Sequence, residues 1–165
     1  VDHYEELMPR YNGKNLVCVA CKAAMHTRSI LYCLENNIQQ FITGYTKKQH
    51  YYPEQTPAFM DRLREFSRDF GVETLYPIFN EFKDEVTVRH YLEDHGLPSA
   101  AGGEMDCMFS QTYTTAKEED TAKYLDDILP LVREYIEAEL DGDFKKAAGI
   151  FPPGRVKGKL MKMKL

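Results

Sequence analysis

Cys18 and Cys21 stand two residues apart in "LVCVACKAAMHTRSI", residues 16–30, and a third cysteine, Cys107, arrives far down the chain. A gap of two lets both thiolates reach one soft ion while the chain folds back to deliver the third. Three thiolates suit either zinc completed by a ligand from elsewhere or an iron–sulfur cluster with one iron left open. His26 could supply a nitrogen, although a histidine in such a place more often stands beside a site than in it. Two unligated cysteines are the plain alternative. Cys33 falls on the apolar side of the following helix and reads as a core residue. A thioredoxin-like pair is disfavoured, because no strand leads into the CxxC and no cis-proline loop accompanies it.

The second chemical cluster is "GYTKKQHYYPEQTPAF", residues 44–59, which follows the short apolar run "QFITGY". A parallel sheet places its ligands there, beyond the carboxyl end of a strand. Lysines in such a loop neutralise phosphates, and an amide with a carboxylate can read a base edge. The candidate nucleotide- or substrate-binding residues are Gly44, Tyr45, Lys48, Gln49, Tyr52, Glu54 and Gln55, with Lys83 at the start of a later helix. Lys22 and Arg28, just after the CxxC, are candidate phosphate contacts. A solvated polar loop is the competing reading.

Holding these groups requires a series of helices and strands. Ala20, Ala23, Ala24, Thr27, Ile30, Leu31 and Leu34 recur at helical spacing up to "ENN". "PAFMDRLREFSRDFG" reads as an amphipathic helix with Pro57 in its first turn and Gly71 as its stop. "VETLYPIF" reads as a second strand and "KDEVTVRHYLEDHG" as a helix ended by Gly96. "AKEEDTAKYLDDILPLVREYIEAEL" reads as a long helix that Pro130 could kink. Strand, helix, strand, helix with glycine-bounded connections indicates an α/β fold, a parallel sheet covered by helices. Two strands, and a third near Cys107–Phe109, are too few for a complete doubly wound domain. The expected architecture is therefore an incomplete half, with a long C-terminal helix.

The 165 residues fit one domain with a real core, and 43% hydrophobic with 28% charged residues is ordinary for a globular chain. No run of 18 apolar residues or signal-peptide pattern occurs, so no membrane partner is expected. Four cysteines without export features point to a reducing compartment, the cytoplasm. The net charge of −5 hides an asymmetry: from Lys145 onward lie seven of the 21 Lys and Arg and no acid. Residues 1–142 are thus expected as the α/β part and 143–165 as a flexible basic tail, suited to RNA if it binds anything. A start at Val1 instead of Met suggests a processed or truncated piece.

Residues 16–110 resemble the PP-loop ATP pyrophosphatase superfamily, in particular its 7-cyano-7-deazaguanine synthase branch of the queuosine pathway. The resemblance rests on an ordered set: Gly44; Tyr52-Pro53-Glu54 with Pro57 and Phe59; Tyr76-Pro77-Ile78; Lys83-Asp84-Glu85; Gly96-Leu97-Pro98; and Cys107. The further cysteines that make the synthase's zinc site are absent after Cys107. The CxxC with a distant single cysteine is instead similar to the tRNA 2-thiolation branch, where such a set holds a 4Fe–4S cluster. The superfamily's "SGGxDS" phosphate loop is missing. The resemblance therefore implies the C-terminal part of the domain, an adenine nucleotide alpha hydrolase-like fold.

The implied chemistry is adenylation with ATP and Mg. A carbonyl or carboxylate oxygen attacks the α-phosphate, pyrophosphate leaves, and a sulfur or nitrogen nucleophile then displaces AMP. Sulfur transfer with Cys18, Cys21 and Cys107 at an iron–sulfur or metal site is the leading expectation, and a zinc-containing deazaguanine-nitrile ligase is the alternative. The implied partners are ATP, tRNA or a nucleobase-like small molecule, and an N-terminal half or second chain carrying the phosphate loop; a homodimer stays open. The isolated chain would be inactive. From another class comes a non-catalytic, metal-stabilised binding module whose basic tail docks on RNA.

Overall fold

Helix α1, Val17–Glu35, forms because Val19, Ala23, His26, Thr27, Ile30 and Leu31 fall on one face and are all buried. Asn37, in left-handed backbone at φ 54°, turns the chain away after it. The computed structural model describes residues 16–50, 52–97 and 117–151. Strand β1, Gln40–Ile42, is followed by single 3₁₀ turns at Lys47–Gln49 and Pro53–Gln55. Helix α2, Pro57–Arg68, starts where Pro57 needs no N–H partner and the Thr56 hydroxyl accepts from the Phe59 amide at 3.3 Å. Gly71, at φ +73°, ends it.

Strand β2, Glu73–Leu75, pairs in parallel with β1 in the register Gln40–Glu73, Phe41–Thr74, Ile42–Leu75. A helix α3, Pro77–Glu81, follows at once. Asp84 caps helix α4, Glu85–Asp94, by accepting from the Thr87 amide at 2.9 Å while Thr87 Oγ1 accepts from the Asp84 amide at 3.3 Å. Helix α5, Glu118–Leu140, runs through Pro130, and helix α6, Phe144–Ile150, lies against it with Ala147 buried.

The core sits between α1, α2 and α5. Val19, Phe59, Leu63, Tyr76 and Leu125 form one cluster, and Ile30, Leu31, Phe66, Val132 and Ile136 form a second further along the same helices. Thr74 reaches in from β2 to donate to Ser67 Oγ at 2.8 Å, and Ser67 donates to the Leu63 carbonyl, so this buried polar chain is satisfied. On the surface Arg62 pairs with Asp126 and Asp69 pairs with Arg133. The two contacts lie two turns apart on both helices in the same order, so α2 and α5 run parallel.

These facts correct the expected fold. The chain is not a parallel sheet covered by helices, nor half of a hydrolase-like α/β domain. Among the described residues 71% are helical and 5% are in strands, and the sheet has two strands. The single β1–α2–β2 crossover is present, but each strand stops after three residues. "QFITGY" leaves the ladder after the Thr43 amide bonds the Leu75 carbonyl at 3.0 Å. "VETLYPIF" breaks at Pro77, whose fixed φ and missing N–H start a helix instead of extending a strand. Most large buried side chains, among them Phe59, Ile30, Leu31, Leu63, Leu125 and Ile136, belong to helices. The third strand expected near Cys107–Phe109 lies outside the described residues. Of the basic tail, Phe144–Ile150 is helical, and the stretch beyond Phe151 is likewise outside. No helix among the described residues is long and apolar enough to cross a membrane.

Candidate functional site

A cavity of about 350 Å³ opens beside the carboxyl end of β1. Helix α1 forms one wall with Lys22, Met25, His26 and Ser29, which repeat at the i, i+3, i+4, i+7 spacing of a single helix face. β1 and the chain after it supply Phe41, Ile42, Thr43, Gly44 and Tyr45, and the two 3₁₀ turns supply Gln49 and Gln55. The turns are tied to the strand end by amides. Gln55 accepts from the Thr46 amide at 3.5 Å and donates to Gln49 Oε1 at 2.8 Å. Gln49 therefore has its oxygen engaged and its NH₂ left as a donor.

Tyr45 is the centre of the wall. Its ring stacks on Tyr76 at 5.6 Å and 11°, and Tyr76 is anchored by donating to the Met60 carbonyl at 3.0 Å. Lys22 Nζ lies 5.4 Å from the Tyr45 ring centre, a cation–π distance, and makes no ion pair among the described residues. The Tyr45 hydroxyl meets His26 Nε2 at 3.1 Å. Phe41 and Phe59 make T-shaped contacts with the imidazole, at centroid distances of 5.4 and 6.4 Å.

Burial sets the protonation states. Desolvation, with Lys22 adding to it, lowers the His26 pKa to about 4, so the imidazole is neutral near pH 7. Desolvation, with the charges of Tyr76, Glu54 and Cys21, pushes the Tyr45 phenol well above its ordinary range. Glu54, 5% exposed, is pushed up by burial against the opposing pull of its own backbone N–H and Lys22, and its Oε2 lacks a partner.

Of the residues singled out in the sequence, Lys22, Gly44, Tyr45, Gln49 and Gln55 line the cavity. Glu54 is buried close enough to influence Tyr45. Tyr52 is half-buried and off the lining, Lys48 is exposed and paired with Glu85 of α4, and Lys83 is exposed before the α4 cap. Arg28 is off the cavity lining and lies close enough to Tyr135 of α5 to act on its hydroxyl. Cys18 and Cys21 share a face of the first turns of α1, half-buried and exposed, while Cys107 lies outside the described residues. Two sulfurs one turn apart fit a shared soft ion. Among the described residues no three His, Cys, Asp or Glu side chains gather into a metal site.

His26, considered in the sequence only as a metal ligand or neighbour of one, turns out to be part of the cavity wall. Met25, Ser29, Phe41, Ile42 and Thr43 were not singled out at all. The helical spacing of Lys22, Met25, His26 and Ser29 was the available signal. No protein-family profile, no curated protein and no solved structure matches the chain.

Proposed function

We propose that the cavity beside β1 takes the nucleotide or nucleobase-like substrate of an ATP-dependent adenylating enzyme, acting in nucleobase or tRNA modification in the cytoplasm. The observation that carries this reading is convergence. Five residues picked for phosphate and base recognition line one wall-to-wall space although they come from α1, the end of β1 and two separate turns. The cavity has an apolar side in Met25, Phe41 and Ile42 for a flat ring. Its Lys22 lies over the Tyr45 ring, makes no ion pair among the described residues and suits an anion such as phosphate. The amide of Gln49 offers donors to a ring edge.

Cys18 and Cys21 lie within a turn of Lys22, and the Cys21 charge reaches Tyr45. A sulfur-bearing site next to the cavity accords with sulfur transfer onto an adenylated substrate. A zinc held by the same cysteines belongs to the nitrile-synthase alternative. AMP is a good leaving group where oxide is a poor one, which is why adenylation precedes displacement in either case.

Calorimetry with ATP and AMP tests the cavity. Both nucleotides should bind, and Lys22→Ala should weaken ATP at least tenfold while Lys48→Ala leaves it unchanged. Absence of binding by both nucleotides overturns the reading. Metal analysis after anaerobic purification decides the chemistry: iron with sulfide supports sulfur transfer, and zinc alone supports the nitrile-synthase alternative. Either metal should be lost from Cys18→Ser and Cys21→Ser.

A further inference from the structure

The Tyr45–His26 pair has one hydrogen whose position nothing in the fold fixes. A neutral imidazole carries its N–H on either Nδ1 or Nε2, and the partner of the second nitrogen normally decides which. Here Nε2 meets the Tyr45 hydroxyl at 3.1 Å, whereas Nδ1 is buried with no partner and His26 is 4% exposed. With the proton on Nε2, the imidazole donates to Tyr45 Oη, and the phenol hydrogen is available to a molecule in the cavity. With the proton on Nδ1, Tyr45 donates to Nε2, and its oxygen is left as an acceptor. The heavy atoms stay in place through either arrangement. Phe41 and Phe59 flank the imidazole in T-shaped contacts, and Tyr76 holds the Tyr45 ring by stacking.

We propose that Tyr45 is the atom-level reader of the cavity's ligand and that His26 is a positioning residue, whose tautomer sets whether Tyr45 Oη donates or accepts. The ligand class is a planar heteroaromatic ring that presents either an acceptor or a donor edge, with Gln49 contributing fixed N–H donors. This rests on the nucleotide reading of the cavity. It goes further by assigning the choice between ring edges to one movable proton. Neither group changes charge: burial keeps Tyr45 protonated and His26 neutral near pH 7.

AMP and IMP are the probes, because the ring nitrogen at their six-membered edge is an acceptor in the first and an N–H donor in the second. The protein is labelled with ¹⁵N-histidine, and the two His26 nitrogens are followed by NMR with each nucleotide. Both nucleotides should bind, and the protonated and unprotonated nitrogen signals should exchange places between the two complexes. Tyr45→Phe should weaken both about tenfold and abolish the exchange. His26→Gln, whose amide can also donate or accept, should retain more affinity than His26→Leu. The same tautomer in both complexes, or an unchanged affinity in Tyr45→Phe, overturns the proposal while leaving the nucleotide reading intact. Failure of both nucleotides to bind overturns the two together. The wild-type comparison requires no variant to fold.

Discussion

The Tyr45 hydroxyl and the His26 imidazole, 19 residues apart in sequence and both buried, meet at 3.1 Å and join α1 to the chain leaving β1. Tyr45→Phe keeps the stack on Tyr76 but leaves Nε2 buried without a partner. A stranded buried polar group costs about 1–3 kcal/mol. Urea unfolding should show a loss of that size, and a loss below about 0.5 kcal/mol would mean that the bond contributes nothing to the fold.

His26 predicts a pH dependence of stability. Its pKa is lowered to about 4 in the folded chain, against 6.5 for the free group. As pH falls below 6.5 the unfolded chain takes up the proton first, so stability drops between pH 6.5 and about 4 and gains no further slope below that. The full loss is about 3 kcal/mol by linkage. Glu54 works in the opposite sense, since its raised pKa makes the folded chain hold its proton longer as pH rises above 4.5. The difference between wild type and His26→Gln isolates the histidine. That difference should be flat above pH 7 and change only in the stated window.

Core and surface substitutions should separate cleanly. Ile136, fully buried among Ile30, Leu31 and Phe66, should cost about 2–5 kcal/mol on truncation to alanine. Lys48→Ala and Lys83→Ala remove exposed side chains off the cavity lining, so the urea midpoint and AMP affinity should both stay where they were. A weaker AMP complex in Lys48→Ala would place the ligand in a different location.

Gly44 lines the cavity in ordinary backbone, and a Cβ there would meet nothing within 4 Å. Gly44→Ala should therefore leave stability within about 0.5 kcal/mol and weaken AMP, because the methyl group occupies ligand space. Unchanged affinity, measured by calorimetry, would show that the nucleotide does not approach this backbone.

Local signals proved legible where one residue type enforces one geometry. Pro57 starts α2 and Gly71 ends it, both at the expected position, whereas the Thr56 and Asp84 caps were not picked out. The strand–helix–strand order was legible too. The error came in extrapolating from that order to a sheet, because strand length depends on pairing partners, which periodicity cannot report. Pro77 held the warning: a proline after three strand residues begins a helix as readily as it ends an edge. The cavity was half legible. Gln49 and Gln55 stood out by type in a turn-rich loop, whereas His26 acquires its meaning from Tyr45, a partner that only the packing of α1 against β1 brings near.

The parallel run of α2 and α5 carries information in its two surface ion pairs. Along α2 the order is Arg62 then Asp69, and along α5 it is Asp126 then Arg133. Turn α5 end for end, and guanidinium would confront guanidinium while carboxylate confronted carboxylate. Exposed pairs of this kind add little to stability, yet mismatched ones repel by comparable amounts. The four side chains thus act as a polarity key. They leave the folded state scarcely tighter, but they penalise the upside-down helix that greasy contacts alone would tolerate.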